Sequence, residues 1–188
     1  FQPGGIWFPT TKTIICGTFP PKKEYYERQG YIHYSSPRNQ FWRHIDSIYK
    51  TTLYLGAKNA KDDQKRIENA IDKIAFLRKI ELGFVDIFSI VRRTVDGSSN
   101  DNDLISEETI FDNGIFQELL SASVTQFVFV YSLSRDEFIQ KMEKLFKVTP
   151  VIIRQYNADG IPLLVMKATF GSKEIYLSYA PIHGPINW

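Results

Sequence analysis

The sequence predicts an α/β fold, in the form of a single three-layer α/β/α domain spanning residues 1–188 around a central, mostly parallel sheet. Two observations predict it. Short β-branched apolar runs alternate with stretches of helical periodicity, an order typical of parallel strands joined by helices. The length of 188 residues and the hydrophobic content of 43% suffice for one domain with a full core.

Buried strands are predicted where apolar runs stop at glycine or at polar residues. The first covers residues 12–17 ("KTIICG") and makes Cys16 a buried residue. Two further strands are predicted at residues 83–91 ("GFVDIFSIV") and 126–132 ("QFVFVYS"). The end of the chain is rich in strands ("PVIIRQY", "PLLVMKATFG", "KEIYLSYAP"), and "FGSK" indicates a hairpin turn between the last two.

Helices are predicted from apolar residues spaced three and four apart. One starts at Pro37 and Arg38, since proline favours the first helical turn, and it places Phe41, Trp42, Ile45 and Ile48 on one face. Another covers residues 62–79, and its predicted buried stripe is Ile67, Ile71, Ile74 and Leu77. Two more are predicted at residues 107–120 and 135–146.

Composition restricts the classes of protein. The single Cys16 excludes an intrachain disulfide and a cysteine-based zinc site, and it indicates a reducing, cytoplasmic or nucleoid-associated location. No run approaches the roughly 18 apolar residues of a membrane span, and no signal peptide is visible. The net charge of +2 is too small to predict nucleic-acid binding by itself, although a local basic patch would suffice.

Ligands of open α/β sheets bind at the carboxyl ends of the strands. At that predicted edge, Arg92 and Arg93 suit phosphate because a guanidinium fork matches its oxygens, the alternative being a solvated basic face. His183 follows the last strand and is placed to donate to phosphate or to a leaving base. Asp86, inside an apolar run, indicates a structural pairing rather than catalysis. Further basic residues surround the first loop: Lys22, Lys23, Arg28, Arg38 and Arg43.

Residues 30–45, "GYIHYSSPRNQFWRHI", concentrate rings and polar groups in one loop-to-helix transition. The carboxamide of Asn39 can position a water or read a base edge, or it can satisfy a backbone group in the first helical turn. The Tyr34 ring can stack on a nucleobase, a contact of roughly 1–3 kcal/mol, or it can cover the core as a half-buried loop ring. The spacing of Phe41 and Trp42 with Ile45 predicts core packing.

No nucleophile elbow, P-loop, dinucleotide fingerprint or metal-ligand spacing occurs, which excludes the commoner enzyme classes of the α/β type. Instead, "CGTFPP" followed by "YSSPRNQFWRHI" resembles the uracil-DNA glycosylase superfamily, above all its mismatch-specific uracil/thymine and hypoxanthine (deoxyinosine) branches. "GFVDIFSIVRRTVDGSSNDNDL" is similar to the middle segment of that family, and "LSYAPIHGPIN" to its second motif. The resemblance covers most of the chain in the right order.

The resemblance implies a monofunctional DNA glycosylase, a hydrolase of base excision repair that removes hypoxanthine or uracil and needs no metal or organic cofactor. Many branches carry Asp or Asn where this chain has Phe19. The hypoxanthine branch uses the Asn of the P-R-N block, which implies Asn39 as the residue that positions the water. The similarity to the second motif implies His183 as the other catalytic residue, which would bind phosphate or stabilise the departing base. The implied base-binding residues are Gly17, Thr18, Phe19, Pro20, Tyr34 and Asn187, and the implied phosphate ligands are Arg38, Arg92 and Arg93. The expected partner is DNA with a deaminated or mismatched base, bound by a monomer, with no membrane.

Two alternatives remain open at this point. The first is a nucleic-acid-binding module of the same fold without chemistry, which Phe19 favours. The second is a hydrolase of free nucleosides or nucleotides that uses the same pocket without a duplex.

Overall fold

The structure, a computed structural model, describes residues 5–17, 31–35, 40–56, 59–90, 92, 94, 110–111, 113–130, 132–158 and 161–179. Contacts divide the chain into two compact units. The first, here the helical unit, is Pro20–Ile80, and the second, here the sheet unit, combines Gln2–Phe19 with Glu81–Trp188. The single domain expected from the sequence remains a prediction.

The sheet unit is built on β-strands that lie close to the predicted apolar runs. The described strands are β1 (Gly5–Ile6), β2 (Thr13–Gly17), β3 (Leu82–Asp86), β4 (Phe88–Ile90), β5 (Ile110–Phe111), β6 (Gln126–Phe129), β7 (Val151–Ala158), β8 (Ile161–Phe170) and β9 (Lys173–Tyr179). Seven of these described strands form one sheet in the order β1-β3-β2-β6-β9-β8-β7, while β4 and β5 pair separately. With its helices, the chain is therefore of the α/β class.

The sheet is mixed, whereas the sequence predicts a mostly parallel one. Strands β3, β2, β6 and β9 run parallel to one another. Strand β1 is antiparallel to β3, and β7, β8 and β9 form an antiparallel meander. Hairpin connections require antiparallel neighbours. The predicted hairpin between β8 and β9 is confirmed, and its turn uses Gly171 at φ +62°, a left-handed conformation that favours glycine.

Two helices of the sheet unit cover one face of the sheet, α3 (Asn113–Ser121) and α4 (Ser132–Phe146). Helices α1 and α2 precede them in the chain and belong to the helical unit. Their buried side chains share one cluster with alternate residues of the parallel strands. Among its members are Ile14, Cys16, Val85, Phe127, Phe129, Leu119, Leu120, Phe138 and Met142. The alternation follows from the two-residue period of a strand.

Close approach of β1 to β3 depends on Gly83. A Cβ atom at this position would lie 2.7 Å from the backbone oxygen of Ile6 and 2.8 Å from Cδ1 of Ile14. Only a residue without a side chain leaves room for both the edge strand and the core isoleucine.

The predicted segment boundaries shift where strands pair outside the main sheet. The run at residues 83–91 divides at Ile87 into β3 and β4, and β4 pairs with β5. Consequently the predicted helix at residues 107–120 is replaced at Ile110–Phe111 by a strand, and α3 begins at Asn113. A pairing between distant segments overrides local periodicity here.

The helical unit contains α1 (Phe41–Tyr49), a short 3-10 turn (Asn59–Lys61) and α2 (Asp63–Lys79). The carboxylate of Asp62 caps α2 by accepting a hydrogen bond from the Lys65 amide at 3.2 Å. Asp63 in the first turn and Arg78 and Lys79 in the last turn complement the helix dipole. Both helices lie where the sequence predicts them, although α1 begins at Phe41 and the predicted start at Pro37 lies outside the described residues.

The predicted buried stripe of α2 is confirmed at Leu77 and wrong at Ile67 and Ile71, which are 44% and 60% exposed, while Ile74 is half-buried. The buried residues of the helix are Ala70, Lys73 and Leu77. At 100° per residue, the buried face is turned by about a quarter of a revolution from the predicted one. Lys73 lies at the centre of the buried face. The isoleucines that produce the apolar pattern of the sequence therefore lie on the adjacent flank of the helix. Ile48 of α1, also predicted to be buried, is 69% exposed.

Candidate functional site

Three of the predicted site residues belong to the described part of the chain: Gly17 and Arg92 in the sheet unit and Tyr34 in the helical unit. The others lie outside the described residues: Thr18, Phe19, Pro20, Arg38, Asn39, Arg93, His183 and Asn187. Their predicted roles therefore remain predictions.

Gly17 lies at the carboxyl end of β2, where the parallel register pairs it with Asp86 at the carboxyl end of β3. Both residues are buried, and Asp86 is only 4% exposed. Cys16 is fully buried beside them, as predicted, and burial together with the Asp86 charge raises the pKa of its thiol. The thiol is thus held in its protonated, unreactive form, and Asp86 brings a buried carboxylate to the edge where ligands of such sheets bind.

Two arginines of the sheet unit are candidates for binding an anion. Arg92 is exposed just beyond β4, which pairs with β5 outside the seven-stranded sheet. Arg135, which sequence reasoning missed, lies in the first turns of α4, with its guanidinium carbon 5.0 Å from the centre of the Tyr179 ring and an ion pair to Asp136 at 2.7 Å. Because β6 and β9 run parallel, α4 starts at the same edge at which Tyr179 ends β9. The signal that would have identified Arg135 is its place in the first turns of a helix that directly follows a strand, since such a helix begins at the carboxyl edge of the sheet.

In the helical unit, residues 31–35 form a tight turn with two tyrosines in an unusual backbone conformation. Tyr31 and Tyr34 both have φ +59°, in the left-handed region that bulky residues rarely adopt. The Tyr31 hydroxyl donates to Asp63 at 3.0 Å, and Arg66, paired with the same carboxylate, lies 5.9 Å from the centre of the Tyr31 ring. These contacts fix the start of the turn to the first residues of α2.

The Tyr34 ring is half-buried and packs on α1. Its centre lies 5.2 Å from that of Phe41 at an interplanar angle of 37°, and 6.2 Å from that of His33. A half-buried ring that packs on a neighbouring ring can cover the core or stack on a planar ligand, so both interpretations of Tyr34 are compatible with its position.

Phe41 and Trp42 are 8% and 1% exposed, which confirms the predicted core packing of both rings. They meet edge to face at 5.2 Å. Trp42 also donates from Nε1 to the backbone oxygen of His33 at 2.9 Å. This hydrogen bond ties α1 to the residue that precedes Tyr34.

Lys73 of α2 is a buried cationic residue that sequence reasoning missed. It is 1% exposed, and its Nζ donates to Oγ of Ser35 at 2.9 Å. The same Nζ lies 4.8 Å from the centre of the Trp42 ring, a cation–π distance. Burial lowers its pKa to about 7, partly opposed by the Asp46 carboxylate. The sequence indicates its burial through helical spacing: Lys73 follows Ala70 by three residues and precedes Leu77 by four, so all three lie on one face of the helix.

Asp46 organises the chain after α1. Its carboxylate accepts hydrogen bonds from the amides of Leu53 and Tyr54, at 2.6 and 2.7 Å, and from the Thr51 hydroxyl at 2.6 Å. Arg43, counted in the sequence among the basic residues near the first loop, donates to the Tyr54 hydroxyl at 2.9 Å and lies over its ring. Arg43 is therefore engaged within the helical unit.

Within the described ranges, no three histidine, cysteine, aspartate or glutamate residues are grouped so that they could hold a metal ion. The same residues include no helix that is both long and apolar enough to span a membrane. No family model matches the chain, and comparisons with curated proteins and with solved structures likewise find no match.

Proposed function

We propose that the chain is a monofunctional DNA glycosylase, similar to the uracil-DNA glycosylase superfamily, that removes hypoxanthine or uracil from DNA. The observation that carries the proposal is the turn at residues 31–35. It holds Tyr34 in a left-handed conformation, with its half-buried ring packed on Phe41, directly before the P-R-N block that ends at Asn39. The enzyme would act as a monomer on DNA of the cytoplasm or nucleoid.

The proposed fold is the three-layer α/β/α arrangement of that superfamily. Burial on both faces of the central strands supports it. Ile14 and Val85 belong to the cluster under α3 and α4, whereas Ile15 and Phe84, which point to the opposite face, are 7% and 0% exposed. Strands buried on both faces are typical of sheets covered by helices on both sides.

A glycosylase must first extrude its target base, at a cost of a few kcal/mol, and then hold it in a pocket. In the proposed complex, the Tyr34 ring stacks on the base. The resemblance to the superfamily assigns recognition of the polar edge of a base to the backbone from Gly17 to Pro20 and to the side chain of Asn187. Stacking suits either base, since every base has a π-face, and the polar edge selects between them.

The proposed chemistry is hydrolysis of the bond between C1′ of the sugar and the base nitrogen. The electron pair of this bond leaves with the base, and positive charge develops on the sugar. The carboxamide of Asn39 orients a water whose oxygen forms the new bond to C1′, and the water loses a proton to solvent. His183 donates a hydrogen bond to the departing base or to the adjacent phosphate, and such stabilisation of a leaving group is often the largest catalytic term.

Binding of the DNA backbone is assigned to Arg38, Arg92 and Arg93. The exposed position of Arg92 beyond β4 supports this role, because a phosphate needs a guanidinium that solvent can reach. Each neutralised phosphate should contribute a slope of about −0.9 to the dependence of log K on log salt concentration. An Arg92→Gln variant should therefore bind duplexes more weakly, and with a shallower salt dependence, whatever their sequence.

The experiment that tests the proposed function is base release from labelled duplexes that contain hypoxanthine, uracil, xanthine or a G:T mismatch. Free deoxyinosine serves as a parallel substrate, and fluorescence anisotropy measures duplex binding. Release from a duplex with little cleavage of free deoxyinosine supports the glycosylase. Binding of damaged DNA without release identifies a binding module, and equal cleavage of the free nucleoside identifies a nucleoside hydrolase.

A further inference from the structure

The two residues that flank Tyr34 in the turn are both anchored by side chains of the helices. His33 on one side is held through its backbone oxygen by Nε1 of Trp42 at 2.9 Å. Ser35 on the other side is held through its hydroxyl by Nζ of Lys73 at 2.9 Å. The ring proposed to stack on the base thus projects from between two fixed points.

The two anchors also contact each other, because Nζ of Lys73 lies 4.8 Å from the centre of the Trp42 ring. Trp42, Lys73 and Ser35 are 1%, 1% and 6% exposed. An anchor made of buried groups is little weakened by water, which would otherwise compete for each hydrogen bond. The turn is therefore held from within the helical unit.

Such an anchor is needed because the turn is not in a relaxed conformation. A tyrosine with φ near +59° is outside the regions that bulky residues prefer, at a cost of order 1 kcal/mol or more. The turn has one weak backbone hydrogen bond of its own among those described, from the Ser35 amide to the Ile32 oxygen at 3.3 Å. Without its side-chain anchors, Tyr34 would relax to a negative φ and its ring would point elsewhere.

Lysine is an unfavourable residue for a purely structural role at this position. An unbranched apolar side chain such as methionine fills a similar volume without the cost of burying an amine. What methionine cannot provide is the hydrogen bond to Ser35 and the cation over Trp42.

We propose that Lys73 is a positioning residue for the stacking ring: through Ser35 and Trp42 it fixes the left-handed conformation in which Tyr34 meets the extruded base. This inference rests on the proposed function for the identity of the ligand. The positioning of the turn itself can be measured without DNA.

The first test needs no DNA. Hydrogen exchange of the peptide that covers residues 31–35 is compared in the wild type, Lys73→Met, Ser35→Ala and Lys65→Met. Lys65 is an exposed residue at the start of the same helix and provides the matched control. Exchange in the turn should be accelerated roughly tenfold in the first two variants and unchanged in the control. Unchanged exchange in Lys73→Met and Ser35→Ala would overturn the proposal, and the milder Ser35→Ala keeps the test decisive if Lys73→Met does not fold.

The second test is a double-mutant cycle on single-turnover base release. In the wild-type background, Lys73→Met should slow release by roughly tenfold to a hundredfold, since a misplaced group costs that much, while the enzyme concentration needed for half-saturation stays unchanged. In the Tyr34→Ala background the same change should have less than about a twofold effect, because no ring remains to be positioned. Equal losses in both backgrounds would show a merely structural role and contradict the proposal.

The two tests also separate this inference from the proposed function. If the wild type releases no base, the glycosylase assignment fails, and the exchange experiment alone decides whether Lys73 positions the turn. If the wild type is active and both variants behave like the wild type, the glycosylase stands and the positioning role is wrong.

Discussion

Replacing Lys73 with methionine should change the pH dependence of the free energy of unfolding. The change removes a buried amine and keeps an unbranched side chain of similar length. Burial lowers the pKa of Lys73 from 10.5 to about 7, while Asp46 opposes the shift. Between these pH values the unfolded chain holds a proton that the folded chain has released, so stability rises with pH.

The size of the effect follows from the two pKa values. A difference of one bound proton changes the free energy of unfolding by about 1.4 kcal/mol per pH unit. At pH 7 the folded-state amine is about half protonated, so the full slope is reached only above that pH. The integrated gain from pH 7 to pH 9 is about 2 kcal/mol, and the contribution becomes constant more than about one pH unit below the folded-state pKa, where both states are protonated.

The assay is urea unfolding at pH 7, 8 and 9 for the wild type, Lys73→Met and Lys65→Met. All three proteins share every other titrating group of the interior, so subtraction isolates the buried lysine. The wild type and Lys65→Met should each gain about 2 kcal/mol relative to Lys73→Met over this range. The same pH dependence in all three proteins would refute the buried, proton-releasing lysine.

Three further predictions concern the sheet unit. Phe138→Ala should lower the free energy of unfolding by about 3–5 kcal/mol, because its ring lies 4.9 and 5.1 Å from two phenylalanines of β6; a loss below 1 kcal/mol in chemical denaturation would argue against this core. Gly83→Ala should lower the free energy of unfolding by about 1–3 kcal/mol, since a Cβ would lie 2.7 Å from the backbone of β1. Gly56→Ala, whose Cβ would lie 4.0 Å from its nearest neighbour, should be nearly neutral, and equal stabilities of the two variants would contradict this prediction. Cys16 should resist a thiol reagent at pH 8 until urea is added, because burial, with Asp86 nearby, raises its pKa; prompt labelling of the folded protein would contradict this.

The elements that the sequence predicts well are those whose signal is local. The strand at Thr13–Gly17 ends at its glycine, the helix at Asp63–Lys79 begins after its capping residue Asp62, and the hairpin at Gly171 follows from its turn residues. Phe41 and Trp42 are buried as their spacing predicts. Each of these depends on a few neighbouring residues and so can be recognised without knowing the fold.

The predictions that fail depend on contacts between distant segments. The antiparallel position of β1 and the pairing of Ile110–Phe111 with β4 have no signature within their own segments. The spacing of its isoleucines places the buried face of α2 on the wrong side, because a lysine, ordinarily an exposed residue, holds a position of the true buried face. The buried amine of Lys73 donates to the hydroxyl of Ser35, 38 residues away, and lies over the Trp42 ring, contacts that no periodicity can indicate.

Single-turnover release of hypoxanthine from a labelled duplex, with enzyme in excess, tests the central claim most directly when the wild type is compared with Asn39→Ala and Gln40→Ala. Asn39→Ala should lose most of the rate while its duplex affinity is largely retained. Gln40→Ala, which alters the neighbouring carboxamide, should retain the rate. A wild-type rate in Asn39→Ala would contradict the catalytic role of Asn39. The absence of release from the folded wild type, on this and on the other lesions, would contradict the glycosylase itself.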